Sequence, residues 1–167
     1  CRICNLGLYF YPKEAHMANK EDICCIEMDP APWNEKTSEW KRKPFLVKRI
    51  PQLFHVPLPG AYAKAIGSLY AEAQEHGIAC DQKDFFMLTR DISAWKAEIL
   101  LGVSESKAGL DMHDLDGTFV SKVFDGPFNK IPAYLEEMKA FLNKEGKSAR
   151  DCYFWYPYCP KCAQKYG

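Results

Sequence analysis

The chain has 167 residues, of which 47% are hydrophobic and 26% charged, and its 22 basic residues balance its 22 acidic ones. That length and balance fit one globular domain that buries its own core, and they exclude a chain disordered along its body. A formal charge of zero argues against a nucleic-acid partner, and no run approaches the roughly 20 apolar residues of a membrane span.

Residues 1–16 look unlike the rest of the chain, and His16-Met17 resembles a junction or an alternative start, so the body is expected over 17–167. No secretory h-region is present after the N-terminus, which points to a cytoplasmic protein with no membrane partner. Residues 29–44 contain three Pro and two Trp and read as an extended, wrapped segment. Within it the Lys41-Arg42-Lys43 run reads as a solvated loop. Phe45–Arg49 alternates as a strand that Pro51 breaks, and Leu53–Val56 reads as a second short strand.

A helix is expected over Ala61–His76. Tyr62, Ile66, Leu69, Tyr70 and Ala73 form its apolar stripe, and Gly77 stops it. Strands are expected at Phe85–Leu88 and Glu98–Val103. The acidic run around His113 (Asp111, Asp114, Asp116) lacks the remaining ligands of a calcium loop and reads as a solvated turn. A strand over Gly117–Phe124 leads through Asp125-Gly126-Pro127 into a second helix, Ile131–Lys144. Pro132 sits in its first turn, where a missing N–H does no harm. Tyr134, Leu135, Met138, Phe141 and Leu142 make its buried stripe, Gly146 ends it, and Cys152–Tyr156 is the last strand. The chain therefore repeats itself: strand, glycine turn, aromatic, helix, glycine, strand, with halves at about 45–103 and 115–158. Two such halves leave a cleft between them, where ligands favour binding.

Eight cysteines fall at positions 1, 4, 24, 25, 80, 152, 159 and 162. The turn Cys159-Pro-Lys-Cys162 presents two thiolates on one side, as a tetrahedral zinc site needs. Cys24-Cys25 or Cys1/Cys4 would complete such a site. Free, partly buried thiols are the plain alternative. A redox pair is the weaker one, because little chain lies beyond Cys162. No organic cofactor is expected.

The segment KVFDGPFNKIPAYLEEMKAFLNKEGK with CYFWY resembles the second repeat of GyrI-like small-molecule-binding domains. Four further segments (CCIEMDPAPW, WKRKPFLVK, FHVPLP and YCPKCAQKYG) resemble a stand-alone branch of that family, loosely labelled as hydrolases. The resemblance covers about Met17 to Gly167. It implies an α+β fold, a duplicated βαβββ-like unit with two antiparallel sheet halves, two main helices and a central cleft. It also implies that Cys24, Cys25, Cys159 and Cys162 belong together, with zinc as the metal. Relatives continue into a final apolar strand beyond Gly167, so a strand is missing from the last half or a partner supplies it, and a homodimer is among the expectations.

By position, Glu98 matches the cleft carboxylate of cation-binding GyrI-like domains; a strand-end surface glutamate is the plainer reading. His55, between Phe54 and Val56, is a candidate ligand contact or general base, or an ordinary core or edge histidine. Trp40, Tyr62, Phe128 and Trp155 are candidates for stacking on a flat or cationic ligand, or plain core. The leading expectation is a module that binds a small, partly apolar molecule, favouring a cation. One alternative is a hydrolase in which Glu98 activates water and Trp155 positions the substrate. The other is a zinc-stapled interaction protein.

Overall fold

A computed structural model describes residues 3–9, 27–81, 86–126 and 130–157. The fold is α+β. Seven strands and two helices are described, in the order β1 (Ile3–Tyr9), β2 (Lys36–Leu53), β3 (Val56–Pro57), α1 (Ala61–Glu75), β4 (Met87–Ser93), β5 (Lys96–Gly102), β6 (Met112–Asp125), α2 (Ile131–Lys144) and β7 (Asp151–Trp155). They divide into two compact units, residues 40–116 and residues 1–39 with 117–167.

In the unit of residues 40–116, β5 lies between β2 and β4 and is antiparallel to both, from Phe45↔Gly102 to Pro51↔Lys96 and from Met87↔Leu101 to Ser93↔Lys96. β2 and β4 therefore run the same way, and α1 is the crossover between them, as a parallel pair requires. Leu46, Ile50, Ala97, Ile99, Leu101 and Val103 form one face of these strands and pack under Ala65, Leu69 and Ala73 of α1. The stripe anticipated for α1 is shifted: Ala65 is buried and Tyr70 is 40% exposed. Residue 70 lies about 100° around the helix from residue 69, on the flank, while two alanines four residues either side of Leu69 let the helix sit close to the sheet.

β2 does not stop at Pro51. Leu58 N–H donates to the Pro51 carbonyl, whereas Gln52 N–H donates to the Trp95 carbonyl. Neighbouring strand residues point their backbone groups to opposite sides, so the missing N–H of Pro51 faces away from β5 and the ladder is uninterrupted. Lys41-Arg42-Lys43 is also strand rather than loop, with Arg42 at φ 45° accepting a left-handed kink. The acidic run Met112–Asp116 likewise begins β6 and is not a free turn: Asp116 accepts from the Arg42 N–H at 3.0 Å, Asp114 from the Arg42 guanidinium at 3.0 Å and from Ser106 at 2.6 Å, and Leu115 is buried.

In the other unit α2 is again a crossover, from β6 to β7. β1 lies between those strands and is parallel to both, from Ile3↔Phe119 to Tyr9↔Asp125 and from Ile3↔Asp151 to Gly7↔Trp155. This half is therefore not the antiparallel arrangement anticipated. Val120 and Phe124 pack under Tyr134, Met138 and Leu142 of α2, as the helical spacing indicated. Gly126 has φ 149°, and a Cβ there would strike the Tyr134 hydroxyl, so only glycine fits the turn into α2.

Both helices end in the same closure. In α1, Gly77 N–H donates to Gln74 and Ile78 N–H to Ala73; in α2, Gly146 N–H donates to Asn143 and Lys147 N–H to Leu142. These are the two paired bonds of a Schellman motif, with a left-handed glycine at φ 68° and 63°.

Candidate functional site

Two polar clusters stand on β2, β5 and β4. Glu98, on β5, faces Arg49 on β2 and Arg90 on β4 in direct cross-strand register. Its carboxylate is 3% exposed. Arg49 Nε donates to Oε1 at 3.0 Å and Arg90 Nε to Oε2 at 2.6 Å, while Arg49 also reaches Asp111 at 2.8 Å. Glu98 is thus neither a surface glutamate nor a carboxylate open to a cationic ligand. The protein supplies two cations of its own, one to each oxygen, which is how a buried charge becomes tolerable.

The second cluster lies at the turns that join these strands. Leu53 pairs with Val56, leaving Phe54 and His55 as a two-residue loop. Both have positive φ, 47° and 68°. That is the geometry of a type I′ turn, which ordinarily takes Asn-Gly because side chains at left-handed φ are strained. Here both side chains are in use. Phe54 packs on Trp95 of the β4–β5 turn, ring centroids 4.9 Å apart. His55 Nδ1 lies 2.6 Å from Asp91 Oδ2. The other Asp91 oxygen accepts from Gln52 Nε2 at 3.0 Å, and the same amide nitrogen donates to the Ser93 carbonyl at 2.8 Å. Gln52 is 4% exposed, so it is a rigid prop. A neutral imidazole that donates from Nδ1 to a carboxylate keeps its lone pair on Nε2. That nitrogen belongs to a side chain 60% exposed.

The other sequence candidates are dispersed. Trp40 stacks on Phe45 at 6.1 Å and meets Phe86 edge-on at 5.6 Å, and Lys43 Nζ lies 4.8 Å from the Trp40 ring and 3.7 Å from that of Phe86. The place of a cation on this aromatic group is taken by the chain's own lysine. Tyr62, in the first turn of α1, packs on the core beneath the helix, and its hydroxyl is buried with no hydrogen-bond partner of good geometry among the described residues. Burial holds that hydroxyl well above the ordinary phenol range, offset in part by neighbouring Thr89. Trp155 is 6% exposed and packs edge-on against Trp33 at 4.8 Å, in the unit that contains β7. In that unit burial pushes the Lys122 ammonium down, but hydrogen bonds to Glu35 and Glu137 outweigh it and hold it raised. Phe128, Cys24, Cys25, Cys159 and Cys162 lie outside the described residues. Among the described residues no cluster of three His, Cys, Asp or Glu side chains is placed to hold a metal ion.

Among the described residues, His55 is the anticipated site residue whose imidazole is held by a carboxylate. Asp91, its partner, and Gln52, which bonds Asp91, went unseen in the sequence, because no spacing signature links the turn after β2 to the end of β4. A model of the bacterial hydrolase family matches residues 15–167. The chain belongs to that family. Comparison with curated proteins found no match, and comparison with solved structures found none.

Proposed function

We propose that the chain is a hydrolase in which His55 is the general base, oriented by Asp91, which Gln52 in turn holds. The observation that carries this reading is the strained Phe54-His55 turn. Left-handed φ at two large side chains costs about 1–3 kcal/mol each, and the geometry keeps the imidazole 2.6 Å from a propped carboxylate. The family description supports hydrolysis over simple capture of a small molecule.

In this reading His55 Nε2 takes a proton from water as the water oxygen attacks the carbonyl carbon of an ester. Asp91 stabilises the imidazolium that forms, much as a carboxylate does behind any His base. The imidazolium then returns its proton to the leaving oxygen as the carbon–oxygen bond breaks, giving acid and alcohol. Water is the nucleophile in this reading. Glu98, held by two guanidiniums, has a structural role in the same strands.

The GyrI-like resemblance fits this picture. Each unit has a helical crossover with one strand between the strands it joins, and each helix closes with the same two bonds at a glycine. Those matches support a duplicated unit.

The test is steady-state turnover of 4-nitrophenyl acetate by wild type, His55→Ala and Asp91→Asn. Loss of the base is expected to lower kcat/KM by about 10²-fold or more, and loss of the orienting carboxylate by about 10-fold or more, with melting temperatures near that of wild type. Unchanged turnover in His55→Ala would remove the proposal.

A further inference from the structure

Around His55 and Asp91 the chain holds large apolar side chains out in solvent. Leu53, Phe54, Val56 and Leu58 come from the end of β2 and the residues after it, Ile92 from the end of β4 and Trp95 from the β4–β5 turn; each is between 44% and 68% exposed. The two turns are tied into one tip. Gln52 N–H donates to the Trp95 carbonyl at 3.0 Å and His55 N–H to the Ala94 carbonyl at 3.1 Å. From Pro51 to Ala61 the sequence has no Lys, Arg, Asp or Glu. Asp91 is engaged by His55 and Gln52. Exposed Lys96 stands at the base of the tip, next to Trp95.

We infer that this tip docks on a lipid surface, setting Phe54, Trp95 and their aliphatic neighbours among the headgroups. A contiguous exposed apolar patch of this kind marks an interaction surface. Its make-up favours a bilayer over a second copy of the chain: the described patch is six large apolar side chains beside a run with no Lys, Arg, Asp or Glu, whereas protein interfaces set register with charged and polar groups. A bilayer needs no matching shape. It accepts a protruding, nearly uncharged group of aromatic and aliphatic side chains in its interfacial zone, where Trp is favoured, and it rewards a cation at phosphate level, where Lys96 would lie. The tip's cross-turn backbone bonds also reduce the number of polar groups that docking would dehydrate. No described helix is long and apolar enough to cross a membrane, and docking needs none. Resting on the hydrolase reading, the inference adds a substrate class: an uncharged carboxylic ester held at a lipid–water interface.

The experiment is co-sedimentation of the full chain with phosphatidylcholine vesicles, using wild type, Leu53→Ser/Ile92→Ser and His55→Ala. Wild type and His55→Ala are expected to pellet with the vesicles. The double variant, having lost two inserted apolar side chains, is expected to partition roughly 10-fold or more weakly while still turning over a short water-soluble ester. Wild type left in the supernatant, or a double variant that pellets as well as wild type, overturns the docking while soluble-ester turnover leaves the hydrolytic site intact. So does a wild type that is dimeric where the double variant is monomeric, because a second copy then covers the tip. His55→Ala that pellets yet hydrolyses soluble ester at the wild-type rate keeps the docking and removes the site.

Discussion

Glu98 and His55 stand a few residues apart along the same three-stranded ladder, and they are opposites. Glu98 is buried, lies in direct register with its partners, and has both oxygens taken by guanidiniums. His55 is exposed, sits on a strained turn, and has one nitrogen fixed and the other left over. In the first cluster each oxygen of the carboxylate is engaged by one of the protein's own guanidiniums. In the second, the proposed base sits on a turn of two left-handed residues with one ring nitrogen against a propped carboxylate. A buried carboxylate in an apolar strand is therefore poor evidence for chemistry until its partners are known, and an ordinary-looking surface histidine can be the better base.

Removing Glu98 should give the largest change in stability. Glu98→Ala leaves two arginines facing each other across β5, and breaking a buried pair by deleting one partner typically costs about 3–5 kcal/mol. The half-exposed Arg49, which keeps Asp111, places the expectation near about 3 kcal/mol. Thermal or urea unfolding would measure it. Ester turnover per folded molecule should be unchanged, since Glu98 does not touch His55. A variant that keeps its stability and loses its turnover would reverse the roles assigned to the two clusters.

The turn offers the opposite trade. Phe54→Asn/His55→Gly installs the pair that a type I′ turn prefers. Relief of left-handed strain should raise stability by about 1–2 kcal/mol, less whatever the Phe54–Trp95 contact contributed. Ester turnover should fall as far as in His55→Ala. If the double variant is instead less stable, the side chains of the turn serve packing, and the strain argument for a functional histidine fails.

Much of the fold was legible in the sequence. Both helices announced themselves through apolar spacing and through Gly77 and Gly146, because a helix boundary is a local event that a residue type can encode. The strands were harder. Pro51 looked like a break because a strand is usually judged on its residues alone, while its tolerance depends on which side of β2 carries β5. The Phe54-His55 turn was hidden because its sequence lacks the Asn-Gly signal, and it read as continuous strand. Its partner Asp91 lies on β4, and Arg49 and Arg90 meet Glu98 only through strand register. Register is set by the whole sheet, so neither cluster had a spacing to read. Trp40 and Tyr62 were candidates by type, and only packing shows Lys43 over the one and the core around the other.

The smallest expected effect is the background against which both clusters should be judged. Asp114 is held below its ordinary value of 3.8, first by the Ser106 hydroxyl and then by Arg42, with slight burial opposing them. Linkage sets the sign. A carboxylate whose folded value is depressed contributes stability that is complete above its unfolded value and is lost as pH falls through the folded one. Because Arg42 is 81% exposed, solvent and salt screen the pair, and the contribution is a few tenths to about 1 kcal/mol. Asp114→Asn should therefore melt slightly below wild type near neutral pH, with the gap closing once pH drops below the ordinary carboxylate range and narrowing in high salt. Melting curves across pH would show it. A gap that persists in strong acid would mean that Asp114 acts through its fit in β6 and not its charge. The exposed ion pairs would then be no guide to what a true electrostatic cluster, such as that at Glu98, contributes.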